Sequence, residues 1–151
     1  MRSEPLSPEQ ARARVAASFA RQSFMTTLGA TLGHVAPGEV EIAMPVAGHI
    51  GQQHGFVHAG AVASIADSAC GYAALSLMAR GVGVLTAEFK INLVAPAAGE
   101  RLLAKGRVLK AGRTLTLAMA EVFAITGDSQ KLCAVMTATC MSVAGRDGIS
   151  D

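Results

Sequence analysis

Residues 54–80, HGFVHAGAVASIADSACGYAALSLMAR, constrain the fold more than any other part of the chain. From Ala59 to Ala79 almost every residue is small or apolar, and the only charge is Asp67. That length suits a helix of about five turns. A helix apolar on nearly every side must be covered on nearly every side. Its Ala, Gly and Ser content and its one acid argue for burial in protein rather than in lipid.

The rest of the chain supplies the cover. Residues 84–94 (VLTAEFKINLV) alternate, which places Leu85, Ala87, Phe89, Ile91 and Leu93 on one face and Thr86, Glu88, Lys90 and Asn92 on the other. Strands are expected over 101–110, 114–126 and 131–143, with tight connections at 111–113 and 127–129. Short links favour antiparallel neighbours. Upstream, Ser7 and Pro8 read as an N-cap and first helical residue, opening a helix over about 7–23. Phe24, Leu28 and Leu32 continue an apolar spacing up to Gly33. Pro37-Gly38 marks a turn, 39–46 alternates as a strand, and 47–57 is a loop rich in Gly, Gln and His. Helix, strand, loop, long apolar helix and then strands in series predict an α+β fold. A curved antiparallel sheet wraps one central helix, the hotdog arrangement, as a single domain over residues 1–151. The tail, 146–151, is expected to be disordered.

Composition narrows the function classes. The chain is 51% hydrophobic and 16% charged, greasy enough to predict a large subunit interface. A net charge of +2 with no run of Lys or Arg speaks against nucleic acid as a partner. The cysteines, Cys70, Cys133 and Cys140, show no CxxC or Cys/His ligand spacing. An odd number of them, with no apolar leader core, points to a reducing, cytoplasmic compartment, with no membrane partner. The scattered histidines, His34 and His54 among them, have no metal-ligand spacing.

Asp67 has two readings. Ser64-Ile65-Ala66-Asp67 loosely matches a capping box, which would make the acid a first-turn residue favoured by the helix dipole. Alternatively the helix starts near Gly60, since 61–66 is good helix interior, and Asp67 then lies about two turns in. A buried acid there is costly unless it is hydrogen-bonded or used.

Residues 52–60 (QQHGFVHAG), followed at a fixed interval by Asp67, resemble the phenylacetate-degradation type, or PaaI-like, of hotdog acyl-CoA thioesterases, with their N-x-x-G-x-x-H-G-G loop and later acid. Residues 84–97 (VLTAEFKINLVAPA) resemble the strand after that family's helix, including its closing Pro-Ala, and the likeness extends over roughly residues 24–143. The resemblance implies hydrolysis of an acyl-CoA to free acid and coenzyme A, with no cofactor and no metal. It makes Asp67 the general base or nucleophile. Ala59 falls on the first motif Gly, whose backbone N–H holds the thioester oxygen, and Gly60 on the second. Gln52 stands where the family has Asn, longer by one methylene. His58 fixes the loop, and Thr86 helps hold the attacking water. Lys110, Gly112, Arg113 and Thr114 match a K-x-G-[KR]-T connection that lies against coenzyme A. The resemblance also implies a homodimer with shared sites, Asp67 of one subunit facing the 52–60 loop of the other, and dimers paired into a homotetramer. Phe56, Val57, Tyr72 and Met78 are expected to wall an apolar acyl pocket.

Two other functions stay open at this point. A non-catalytic acyl-CoA-binding hotdog protein accommodates the departures at Ala59 and Gln52. A hotdog dehydratase would need a His acting with a carboxylate, and no H-F-P-G-type loop is present.

Overall fold

The structure, a computed structural model, describes residues 6–151. Its elements are α1 (Pro8–Ala20), α2 (Ser23–Thr27), β1 (Thr31–Ala36), β2 (Glu39–Pro45), a short 3-10 turn (Gly48–Ile50), α3 (Ala59–Leu75), β3 (Gly83–Leu93), β4 (Arg101–Lys110), β5 (Leu115–Thr126) and β6 (Ser129–Val143). The six strands form one antiparallel sheet in the order β1-β2-β4-β5-β6-β3. Helix α3 lies in its concavity, in contact with β2, β4, β5, β6 and β3. The hotdog fold expected from the sequence is the fold observed.

The helix can sit so deep because both surfaces are stripped of side-chain bulk. Ala66, Ala69 and Ala73 of α3 are fully buried, as are Ala104, Ala118, Ala120, Ala134 and Ala138 of the sheet. Closest of all is Gly106 on β4, between Val40 and Ala120 in register. A Cβ there would lie 2.4 Å from the carbonyl oxygen of Ala69. The larger side chains, Ile42, Met44, Ile65, Leu75, Leu102 and Met136, fill the space around this small-residue seam.

The N-terminal helix starts as expected. Ser7 caps it by accepting from the Gln10 N–H at 3.2 Å, while Gln10 Oε1 accepts from the Ser7 N–H at 3.0 Å. It ends earlier than the expected 23, because Gln22 leaves helical geometry and opens the separate turn of α2. The apolar spacing through Leu32 did not extend a helix. Gly29, at φ 67°, stops α2, and 31–36 pairs with β2 as a strand.

The tail also differs from expectation. Residues 146–151 fold back as a turn closed by an Arg146–Ile149 bridge, and Ile149 packs over Gly83. Asp151 Oδ1 accepts from the Gly81 N–H at 3.0 Å, and its Oδ2 lies 2.9 Å from Nε of Arg14. Arg14, a residue that no sequence motif flags, spends its other nitrogens on the end of α3. Nη1 donates to the carbonyls of Leu75 (3.1 Å) and Met78 (2.6 Å), and Nη2 to those of Ala79 (2.9 Å) and Val82 (2.7 Å). The carbonyls of Leu75 and Ala79 also accept from the Met78 (3.1 Å) and Val82 (3.3 Å) N–H in tight turns, those of Met78 and Val82 lie past the helix end, and a guanidinium at a helix C-terminus also complements the dipole. Arg14→Met is therefore expected to lower unfolding free energy by about 3 kcal/mol, because it strips donors from several carbonyls and leaves Asp151 unpaired. Urea unfolding checks this, and a loss below about 0.5 kcal/mol would deny Arg14 the capping role.

Candidate active site

Helix α3 begins where the loop 52–58 ends, and His58 makes that junction. It is the N-cap residue, extended at ψ 138°, and its Nδ1 accepts from the Gly60 N–H at 2.8 Å. Its carbonyl accepts from Ala61 (3.0 Å) and Val62 (3.2 Å), and its own N–H donates to Ile50 (2.8 Å). Every early amide of the helix is thus satisfied except that of Ala59, which makes no hydrogen bond among the described residues. The helix N-terminus presents this free donor with the positive end of its dipole behind it. Among the described residues only glycines have positive φ, so Ala59 takes an ordinary helical conformation and its methyl imposes no strain.

Gln52 closes the preceding turn. Its N–H donates to Phe56 (2.8 Å), its carbonyl accepts from Gly55 (3.1 Å), and its side-chain oxygen accepts from the His54 N–H. Gln52, His58 and Ala59 share a cleft of about 560 Å³ with Phe56, Val57 and Leu93. Val94, Pro96 and Cys133 also line it, and the sequence reading had not placed them there. The apolar pair Leu93-Val94 at a strand end was the available signal.

Asp67 lies elsewhere. Helix α3 starts at Ala59, so Asp67 is two turns in, and the capping-box reading fails. Ser64 is mid-helix and donates to the Gly60 carbonyl at 2.6 Å. Asp67 is half-buried, and its Oδ1 accepts from Thr86 Oγ1 at 2.7 Å. It lines a small depression of about 160 Å³ with Ser18, Gln22, Tyr72 and Thr86. Burial pushes its carboxyl above the usual carboxylate range, and the Thr86 hydroxyl pulls partly back.

A bulge in β3 puts Thr86 within reach. Uniform alternation over 84–94 had placed Thr86 with Glu88, Lys90 and Asn92, and Leu85 with Phe89, Ile91 and Leu93. The β3–β6 register shifts between Thr86 and Glu88. Thr86 pairs with buried Cys140 on the concave face, whereas Glu88 pairs with half-buried Thr139 on the convex face, where the two side chains bond at 2.5 Å. Phe89 and Ile91 then return to the concave side, opposite buried Ala138 and Met136. One extra residue thus aims a hydroxyl at Asp67.

The hairpin at 111–114 stands at the other end of α3. With Leu77, Met78 and Val82 it lines a cleft of about 870 Å³ that also takes in Thr116. Gly112 fits only without a side chain, since a Cβ would lie 2.2 Å from the Leu115 carbonyl oxygen. Lys110 and Arg113 are exposed and make no ion pair among the described residues. The predicted acyl wall is divided within one chain. Phe56 and Val57 line the first cleft, Tyr72 the Asp67 depression and Met78 the hairpin cleft.

The chemistry on hand is a poised carboxylate, a free helix-N-terminal amide and a basic hairpin. Among the described residues no group of His, Cys, Asp and Glu could hold a metal, and no helix is long and apolar enough to cross a membrane. Thr86→Val is expected to move the acid limb of any Asp67-dependent activity to higher pH, because it removes the one hydrogen bond that favours the ionised form. A pH–rate profile unchanged in position would dissociate Thr86 from Asp67.

The family model for the thioesterase superfamily matches residues 54–130, from the site loop through β6's first residues. A thioesterase family protein from Silicibacter pomeroyi is 49% identical, its crystal structure covering 89% of this chain and 99% of that one with a TM-score of 0.88. The PaaI protein of the phenylacetic acid degradation operon of E. coli is 22% identical over 96% of this chain and 99% of its own, with a TM-score of 0.82. A phenylacetic acid degradation-related protein from Ralstonia eutropha is 21% identical over 87% of this chain and 98% of its own, with a TM-score of 0.75. These last two likenesses speak for the fold alone. No curated protein matches the chain.

Proposed function

We propose that this chain, which belongs to the thioesterase superfamily, hydrolyses an acyl-CoA thioester in a site shared between two copies of itself. The observation that carries the reading is the placing of two complementary groups on one helix. The Ala59 N–H can hold a developing oxyanion, and Asp67 can activate water or attack the thioester. Eight residues separate them along α3, so they stand about 12 Å apart and cannot meet on one carbonyl carbon. Two antiparallel copies of α3 bring the N-terminus of one beside the middle and C-terminal end of the other. Ala59 then faces the partner's Asp67, and the thioester carbon sits between them.

Three features of the chain support such a pair. Strand β3 is an edge of eleven residues with its outer hydrogen-bonding side open, and Phe89 (46%), Leu93 (53%) and Val94 (56%) are exposed along it and just beyond. The least buried stripe of α3 runs from exposed Gly60 through half-buried Ser64, Asp67 and Gly71. Gly71, mid-helix, costs about 0.5–1 kcal/mol against Ala, yet among the described residues nothing beyond its chain neighbours and its own helix backbone lies within 4 Å of the Cβ it lacks. A partner helix close by accounts for it. On the convex face Leu85, Leu115 and Leu117 are exposed, which supports the pairing of dimers into a homotetramer.

In this reading Phe56, Val57 and Leu93 receive the acyl group, and Gln52 orients it or the water. The partner's hairpin cleft takes coenzyme A, with Lys110 and Arg113 on its phosphates and Thr114 and the Gly112 amide beside them. The leaving group is a thiolate, so the protein need only protect the oxyanion and supply the water's proton acceptor. No cofactor enters. Three free cysteines suit a cytoplasmic enzyme.

Release of free thiol from a panel of short, medium, long and aryl acyl-CoAs tests the function. Turnover of at least one is expected; tight binding of an acyl-CoA without turnover of any would make the chain a carrier instead. Replacing both Lys110 and Arg113 by Ala is expected to raise KM about tenfold for the acyl-CoA and to leave KM for the matching acyl-pantetheine unchanged. An equal rise for both would remove the hairpin from phosphate recognition.

A further inference from the structure

Gln22 stands at the break between α1 and α2, extended at φ −84° and ψ 92°. It is the N-cap residue of α2, a position whose side chain ordinarily bonds the helix it opens, yet its amide makes no such bond. The amide crosses to α3 instead, where its Nε2 and Oε1 each lie 3.4 Å from Ser68 Oγ. Ser64 and Ser76 donate to carbonyls of their own helix (2.6 and 2.7 Å), whereas the buried Ser68 hydroxyl turns to Gln22. The rings of Phe19 and Tyr72, 5.9 Å apart, hold the end of α1 against the same stretch of α3. The Gln22 amide is thus held next to Asp67, and one long contact per atom leaves it a donor and an acceptor to spare.

Ser18, Gln22, Asp67, Ser68 and Thr86 surround the depression of about 160 Å³ with polar side chains. It is far smaller than the clefts of about 560 and 870 Å³, and it suits a few waters rather than an acyl chain. Thr86 spends its one proton on Asp67 Oδ1, and Asp67 Oδ2 has no hydrogen-bond partner among the described residues. We infer that Gln22 holds the hydrolytic water against Asp67. The water donates one proton to Asp67 Oδ2 and the other to Gln22 Oε1, which leaves a lone pair for the thioester carbon. On attack the first O–H bond breaks and its proton passes to Asp67. The new C–O bond forms as the oxyanion develops at the partner's Ala59 N–H. Collapse breaks the C–S bond, and the coenzyme A thiolate takes the proton from Asp67, leaving the free acid. Two fixed acceptors aim the water, whereas Asp67 alone would leave it free to turn.

The inference rests on the thioesterase reading and narrows it, making Asp67 the general base. Gln22→Met, which keeps the length and loses the amide, is expected to lower kcat about tenfold with KM within about twofold of wild type. A kcat that Gln22→Met leaves unmoved overturns the inference. Gln22→Glu returns an acceptor at the same reach. It is expected to recover most of kcat at high pH, with the acid limb moved upward because its charge disfavours ionised Asp67. Ser68→Ala is expected to keep kcat within about threefold. A loss there as large as that of Gln22→Met would make Gln22 a brace for Ser68 and overturn the inference. In a single turnover in 18O-labelled water the acid should carry the label; an unlabelled acid, its oxygen drawn from Asp67, overturns it too. One readout needs no turnover. Gln22→Lys is expected to move the titration of the Asp67 carboxyl carbon, followed by 13C NMR, to lower pH, because an ammonium then faces it across the depression. A titration that Gln22→Lys leaves unmoved overturns the placing of Gln22 whatever the reaction. Wild type that hydrolyses no thioester overturns the proposed reaction and the water's role with it, so the two failures are told apart.

Discussion

Asp67→Asn is expected to abolish nearly all hydrolysis while making the protein more stable. The change keeps the shape of the side chain and the oxygen that accepts from Thr86, but removes the proton acceptor. Loss of a general base costs about 100- to 10,000-fold in kcat/KM. The stability effect follows from linkage. Asp67 binds its proton more tightly folded than unfolded, because burial disfavours the charge. The ionised carboxylate therefore opposes folding above its folded-state pKa, and the penalty vanishes below the unfolded pKa. Asn carries no charge at any pH, so the variant should melt higher at neutral pH, and the gap should close as the solution is acidified. A variant that loses activity and stability together would mean that Asp67 holds the structure and is not strained by its function.

Gly106→Ala is expected to be among the most damaging single-methyl additions. The new carbon would stand 2.4 Å from the Ala69 carbonyl oxygen and 2.5 Å from its carbon, both backbone atoms that no rotamer change can move. Helix α3 must then lift from the sheet at the centre of the small-residue seam. Overpacking of this kind costs about 3 kcal/mol, which lowers Tm by about 6–12 °C for a chain of this size. Calorimetry or urea titration reads it directly. A variant within about 0.5 kcal/mol of wild type would show that helix and sheet lie farther apart than described.

The long helix, the strands after it and the positions of Asp67, Ala59 and the 110–114 hairpin were legible because each carries a local signal. Residues 39–46 and 84–94 alternate, Gly and Pro punctuate the turns, and an acid interrupts an apolar run. Strand β1 was not legible. Leu28 and Leu32 repeat at a helical interval, and only the backbone shows that Gly29, not Gly33, ends the helical turn. The face of Thr86 was misjudged for a similar reason. Period-two alternation knows nothing of a bulge, which is fixed by pairing with β6. Arg14 and the tail were missed because their meaning lies in contacts far apart in sequence, from residue 14 to 82 and 151. Ala59 looked like a departure from a glycine motif, and its ordinary φ shows that alanine fits the position without backbone strain.

The shared site can be tested by mixing subunits. Ala59→Pro removes the proposed oxyanion donor at the first helical position, where proline is well tolerated, and His58 at ψ 138° already has the conformation a following proline demands. Ala59→Pro and Asp67→Asn chains, differently tagged and co-expressed, should each be nearly inactive alone. In a mixed dimer one site loses both groups and the other is whole. With random pairing, about a quarter of wild-type thioester hydrolysis should return. A mixture as inactive as its parents, with mixed dimers present and wild type active, would contradict a site built from Ala59 of one copy and Asp67 of the other.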